Sequence, residues 1–343
     1  MNKDFLKEII NTPSPSGKEY ILQRKIKKHM SEYVDKQISD DQGDLINIIN
    51  PNSPIKVLLA AHVDEISLIV DGYNSNGTLK VSANGGIRAS IYLGSHVDVI
   101  VNDEEVIHGV IGTNHNIDKK GDLKASDLFV DLGTTLEETK KLVPLGSYVV
   151  HSQGLVDLHN DYFSARALDD RLGVYIILNA LKRAKEKGVT IGVYAASTVG
   201  EETTTRGAYY VSNLVKPDFA IVVDVTYASD YIGSDVRCEV NVGEGGVICH
   251  GSIPNKILNS KIKEVANKLH LPIQEEVWPA RTCTDGDTIL KTNEGTPVVL
   301  FSIPLRYMHS PVEVASYKDV ESMIEILSEF LLSIKEKVDL TIV

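Results

Sequence analysis

Cysteine is scarce in this chain, with Cys238, Cys249 and Cys283 the only three. They form no Cys-x-x-Cys pair, and an odd count argues against a disulfide framework, so the plain reading is reduced thiols in the cytosol. Basic charge is also short. Lys and Arg number 35 against 47 Asp and Glu, a formal net charge of −12. No basic stripe is present to neutralise phosphates, which speaks against a nucleic-acid partner. The same acidity favours solubility and mildly favours substrates with a positive end. No apolar run approaches the length that spans a bilayer. The segment MNKDFLKEIINTPSPSGKEY has no apolar stretch followed by a small-residue cleavage site, so no signal peptide is expected. The expectation is a cytoplasmic chain without a membrane partner. Internal repeats and low-complexity tracts are missing too.

What is present reads as an ordinary globular chain. Its 343 residues are 43% hydrophobic and 24% charged, enough for one large domain plus a smaller one. Phe5, Leu6, Ile9 and Ile10 give a first helical face, and Ile21, Leu22, Ile26 and Met30 a second. A strand is expected over residues 56–66, apolar on both faces from Val57 to Ala61, as in a sheet covered by helices on both sides. From about Val70 to Gln153 short β-like pieces recur, punctuated by Asn76-Gly77, Gly85-Gly86, Asn102-Asp103 and Gly121-Asp122. The one helical pattern in this stretch is LEETKKL. Helix–strand alternation resumes after Leu168, with helices expected over LGVYIILNALKRAKEKG, TTTRGAYYVSNLV, NKILNSKIKEVANKLH and YKDVESMIEILSEFLLSIKEK. Strands are expected over TIGVYAAST, FAIVVDV, IQEEVW and PVVLFSI. The fold class is therefore α/β, a central mixed sheet flanked by helices, with a small β-barrel-like domain inserted. The expected bounds are 1–68 with 155–343 for the main domain and 69–154 for the insertion.

The strand ends carry the chemistry. His62, Asp64 and Glu65 close the first buried strand, Glu201 and Glu202 lie just beyond TIGVYAASTVG, Asp224 ends FAIVVDV, and His309 follows PVVLFSIPLRYM. Asp169 and Asp170 stand in a loop ahead of a helix. In open α/β sheets, sites form outside the carboxyl ends of the strands. Each feature alone has a bland reading: a solvated Glu-Glu pair, a capping Asp, a loop histidine. Together they imply five or six carboxylates and two imidazoles in one crevice, a charge that requires cations. Nitrogen and oxygen donors without thiolate suit zinc, cobalt or manganese.

In this order, AHVDE (61–65), ALDDRLG (167–173), VGEET (199–203), VVDVT (222–226), TDGD (284–287) and PLRYMHSP (304–311) resemble the M42 family of metallo-aminopeptidases, some of which carry an endoglucanase label. The resemblance spans essentially the whole chain, including the insertion. It implies a dinuclear-metal exopeptidase fold with two divalent ions per subunit, peptide substrates, and self-association into a twelve-subunit tetrahedral shell. It also implies roles. His62 binds one metal, with Asp64 steadying its ring. Asp169 bridges both metals through a cis bond to Asp170, and Glu202 and His309 bind the metal that it partners. Asp224 joins His62 on the other metal, and Glu201 is the general acid/base. One departure is Ser67, where the family has glycine. Two other classes compete. A glycoside hydrolase would use paired carboxylates without the imidazoles, but aromatics are only 6% and Trp278 is the sole tryptophan, a poor supply for a sugar-stacking cleft. A non-catalytic scaffold would not need the ligand set.

Overall fold

The computed structural model describes residues 2–234 and 238–341. Helix α1, Lys3–Asn11, is capped by the Asn2 side chain and buries the expected face of Phe5, Leu6, Ile9 and Ile10. Helix α2, Tyr20–Met30, follows and buries Leu22, Ile26 and Met30. Strands β1, Lys36–Ser39, and β2, Leu45–Ile49, form a hairpin that the sequence reading did not mark. Strand β3, Lys56–His62, ends four residues earlier than expected. After one more ladder bond, Val63 N–H to Thr198 O, the chain leaves the main sheet. There Glu65 pairs with the Pro15 segment, and Ser14 and Ser16 exchange backbone bonds with it.

The chain then builds a second sheet. It comprises β4 (Ser67–Tyr73), β5 (Leu79–Asn84), β6 (Ser95–Ile100), β7 (Val106–Ile111), β8 (Phe129–Val130) and β9 (Tyr148–His151). Short helices α3 (His115–Asp118) and α4 (Leu136–Leu142) interrupt it, and α4 is the LEETKKL helix expected. The strand order is β7-β6-β9-β4-β5-β8, and a bridge from Val110 to Asp131 brings the two edges together, giving a nearly closed antiparallel barrel. Its core of Leu68, Val70, Val81, Val97, Val99 and Val149 is distinct from those around the main sheet. The segment SIYLGSHVDVIV (90–101) reads as one β-like piece, but its first three residues belong to a turn of 3-10 helix, Ala89–Tyr92, with Tyr92 buried. Ser67 opens β4 opposite Asn84, and its hydroxyl accepts a bond of 3.0 Å from the Asn84 amide. A serine in place of glycine is thus accommodated within regular strand pairing.

Strands β10 (Val156–Asp157) and β11 (Tyr162–Ala165) lead into helix α5, Leu168–Glu186. Then come β12 (Gly192–Thr198), α6 (Glu201–Thr204), α7 (Arg206–Val215) and β13 (Phe219–Tyr227). The single helix expected over 203–215 is split, because Thr205 adopts a left-handed backbone with φ of 51°. A run of β-branched threonines is a weak helix former, so little resists that break. The remainder is β14 (Gly246–Gly251), α8 (Lys256–Leu269), β15 (Ile273–Trp278), α9 (Gly286–Ile289), β16 (Val298–Leu305), β17 (Glu313–Ser316) and α10 (Tyr317–Ser333). Neither β14 nor β17 stood out in the sequence.

The main sheet runs β1-β2-β12-β3-β13-β16-β14-β15, with β12, β3, β13 and β16 mutually parallel and β2 and β14 reversed. Val57, Leu59 and Ala61 of β3 face one core, shared with α1, α2, α5 and α10, and Leu58 and Ala60 face the other, shared with α7 and α9. Burial on both faces explains the unbroken apolar run. Four parallel strands therefore deliver their carboxyl ends to one rim. Among the described residues, no helix is long and apolar enough to cross a membrane.

Candidate active site

The rim gathers every side chain that the strand ends pointed to. His62 ends β3 and Asp224 lies within β13. Glu201 and Glu202 open α6 just beyond β12, Asp169 stands at the mouth of α5, and His309 sits in the loop after β16. Asp169 is the centre of the arrangement. Its Oδ1 is 3.1 Å from His62 Nε2 and its Oδ2 is 3.1 Å from His309 Nε2. Glu202 Oε1 stands 3.6 Å from the same His309 nitrogen. Asp224 Oδ1 and Glu201 Oε2 lie 4.0 and 3.9 Å from His62 Nε2. Two half-sites thus share one carboxylate. The peptide between Asp169 and Asp170 is cis.

Buried groups behind this layer hold it in place. Asp64, fully buried, accepts the backbone N–H of Glu201 at 3.0 Å and of Glu202 at 3.2 Å, so it fixes both glutamates through their main chain. His62 Nδ1 is 3.1 Å from the backbone oxygen of Asp64 and 3.5 Å from its carboxylate. A proton donated from Nδ1 leaves Nε2 free as a ligand. Asp170 accepts from the His62 and Gly173 amides. A Cβ on residue 173 would lie 2.4 Å from Asp170 Oδ1, which explains the glycine in ALDDRLG.

Of three further carboxylates, Glu65 stood at a marked strand end and Asp285 within TDGD, both without an assigned role, and Glu313 had no signal in the sequence. Glu313, on β17, accepts the amides of Leu168 and Asp169 on one oxygen and of His309 on the other, tying together the two loops that meet at the half-site pair. Glu65 accepts the Ser14 amide and is bonded to Arg166, with Arg171 at 3.2 Å. Asp285, in TDGD, accepts from Thr198 at 2.6 Å. Nothing in the sequence around Glu313 separates it from an ordinary surface acid.

The electrostatics follow from this crowding. Burial, reinforced by Asp224, Asp285 and Asp64 against the pull of His62, pushes Glu201 up to about 9. Burial and Asp169 push Asp224 up to about 8, and burial likewise drives Glu202 well above the carboxylate range. Burial opposes charge on His62, but Asp169 and Asp64 outweigh it and raise the imidazole well above its ordinary value. Burial would raise Asp169 as well, yet the two imidazoles hold it well below. The protein thus holds protons at a place that favours positive charge, and divalent cations would replace them. The donors are imidazole nitrogen and carboxylate oxygen. His62, Asp169 and Glu202 offer atoms within 4.8 Å of one another, and so do His62, Asp170 and Asp224. The residues fit a pair of zinc, cobalt or manganese ions.

The barrel borders one side of the site. Gly86 lies against the His309 ring, where a Cβ would stand a tight 3.3 Å from Cε1, and Arg88 donates to the Met308 carbonyl at 3.0 Å.

Fold and rim together define a class: an α/β protein with a buried imidazole–carboxylate centre at the carboxyl ends of its parallel strands. The model of the M42 glutamyl aminopeptidase family matches residues 43–326, and the chain belongs to that family. It is 28% identical to the lysyl aminopeptidase of Pyrococcus furiosus, over 97% of both chains. A TET aminopeptidase from a marine sediment archaeon of the Thaumarchaeota superposes with a TM-score of 0.90 at 29% identity, covering 96% of each chain. The TET1 peptidase of Pyrococcus horikoshii, which can assemble into a tetrahedron or a large octahedral shell, gives 0.85 at 27% identity, covering 97% of this chain and 99% of that one.

Proposed function

We propose that the chain is a dinuclear metallo-aminopeptidase that removes residues from peptide amino-termini. The carrying observation is Asp169, which offers one oxygen to each of two imidazoles at 3.1 Å. In this reading His62 and Asp224 hold one cation, Glu202 and His309 hold the other, and Asp169 spans both. Bound there, the pair would polarise the scissile carbonyl and lower the pKa of a water. Glu201, 3.9 Å from His62 Nε2 and not needed as a ligand, takes the proton of that water and returns it to the leaving amine. Asp64 keeps Glu201 and Glu202 apart in role by fixing both backbones while their side chains diverge. The free α-ammonium of a peptide finds carboxylates at this rim, and a mid-chain residue brings no such group. A glycosidase reading leaves both imidazoles without a task.

The test is reconstitution. Chelated protein should be inactive on aminoacyl p-nitroanilides. Zinc, cobalt or manganese should restore activity at two ions per chain by elemental analysis, and N-acetylated substrates should stay intact. Full activity in metal-free protein would refute the proposal.

We further propose residues 1–68 and 155–343 as the catalytic unit and 69–154 as an inserted unit for self-association into a twelve-subunit shell. The separate barrel core, exposed Val106, Val110, Leu142 and Leu145, and the assembly of the Pyrococcus horikoshii relative support this reading. A monomeric mass by light scattering would overturn it. The lysyl preference in the Pyrococcus furiosus protein's name does not transfer at 28% identity, so the pocket of this chain has to decide its own.

A further inference from the structure

Beside the two half-sites the rim opens into a cavity of about 240 Å³, and its inner wall holds an unusual acid. Glu276, on β15, is 4% exposed. One of its oxygens, Oε2, is fully engaged, accepting from the Thr226 hydroxyl at 2.6 Å and the Trp278 indole at 2.9 Å. The other, Oε1, is buried with no partner. Ser302, fully buried on β16, lines the same cavity, and its hydroxyl is also without a partner. Ser302 stands near enough to act on Glu276 as a hydrogen-bond donor and so oppose the upward push of burial, yet neither its Oγ nor Glu276 Oε1 has a partner in regular hydrogen-bond geometry. Two neighbouring polar groups that line one space are therefore buried with incomplete hydrogen bonding. Such groups are costly unless something in that space completes them.

The geometry relates this space to the reacting centre. Thr226 lies two residues beyond Asp224 on β13, so both point to the same face, about 7 Å apart along the strand. The Glu276 carboxylate, bonded to Thr226, is thus about one extended side chain from the half-site of His62 and Asp224. The lining also offers apolar surface for a stem, from Leu300 and Met308, with Trp278 at the edge. An apolar channel ending in an unpaired carboxylate and a hydroxyl matches a long aliphatic side chain with a cationic tip. It disfavours an acidic side chain by repulsion and leaves Glu276 unpaired against an apolar one.

We infer that this cavity receives the side chain of the substrate's amino-terminal residue, and that Glu276 with Ser302 selects a basic one, lysine before all. The inference rests on the aminopeptidase reading for its direction, and it is tested in a way that separates the two. Metal-reconstituted protein should hydrolyse lysyl p-nitroanilide with a kcat/KM about tenfold or more above the norleucyl and glutamyl analogues. Norleucine keeps the stem and lacks the ammonium. Glu276→Gln keeps the shape but not the charge, and it should cut the lysyl-to-norleucyl ratio by about 10–100-fold. Calorimetry with L-lysinamide and L-norleucinamide reads the same pocket without turnover. The wild type should bind lysinamide more tightly, and Glu276→Gln should lose that margin. Protein that hydrolyses nothing but shows this binding margin would sink the peptidase reading and keep the pocket. Wild-type protein that takes norleucyl or glutamyl compounds as well as lysyl ones, in rate or in binding, overturns the inference.

Discussion

Glu313 offers a test of how the half-site pair is held together. Its carboxylate accepts three backbone amides, those of Leu168 and Asp169 on Oε2 and of His309 on Oε1, the last at 2.8 Å. Glu313→Gln preserves size and leaves one oxygen for the Leu168 and Asp169 amides. The new amide group then confronts the His309 N–H donor to donor. Losing a bond to a charged acceptor and leaving a donor unpaired removes about 1.5–3 kcal/mol. If that energy is spent holding the His309 loop, affinity for the metal on the His309 side falls by about 10–100-fold, since each tenfold is about 1.4 kcal/mol. Competition with a metallochromic chelator resolves two ions of unequal affinity, so the expected result is one ion weakened and one unchanged. The His309→Ala variant calibrates complete loss of that ligand. If Glu313→Gln keeps both ions at wild-type affinity while His309→Ala loses one, the loop is held by something else. If both ions weaken equally, the carboxylate acts through Asp169 rather than through His309.

Two other outcomes follow from neighbouring groups. Glu201→Gln should lower kcat by about 10²–10⁴-fold with both metals retained, whereas Glu202→Gln should lose metal and recover partly in excess metal; metal retained by the second and lost by the first would exchange their roles. Glu65→Gln removes a charge from between Arg166 and Arg171 and should destabilise the fold by about 3–5 kcal/mol in denaturant titration at neutral pH. The sign with pH is fixed by the arginines, which overcome burial and hold Glu65 below its ordinary value of 4.5. Its stabilisation is fully present above that value and disappears as the pH falls through the lowered one, so the gap between wild type and variant should narrow in acid. A gap that is constant down to the acid transition would refute the ion-pair account.

The sequence revealed what depends on local pattern. Strands β3, β12 and β13 read as buried because both of their faces are covered, and the polar residues at their ends stood out against that apolar background. His62, Asp224 and the Glu201–Glu202 pair were legible for this reason. Glu313 and Glu276 were not, and Glu65 stood out by position without a role, because each acquires its role from partners far away in the chain: Leu168 for Glu313, Thr226 for Glu276 and Arg166 for Glu65. A single glutamate on a short strand carries no periodicity that distinguishes it from a solvated one. Length hid β17 in the same way, since four residues are too few to show alternation. The early end of β3 is another long-range effect, set by the pairing of Glu65 with the Pro15 segment.

The contact between Gly86 and the His309 ring makes the barrel more than an appendage. Gly85, just before it, has a left-handed backbone, and a Cβ there would stand 2.9 Å from Ile66, in the segment linking β3 to the barrel. Side chains at this turn would crowd Ile66 and the His309 ring, and its neighbour Arg88 donates to the carbonyl next to His309. The surroundings of an active-site imidazole are thus set in part by the barrel, so a substitution in this turn would be felt at the His309 ring although it lies outside the main sheet.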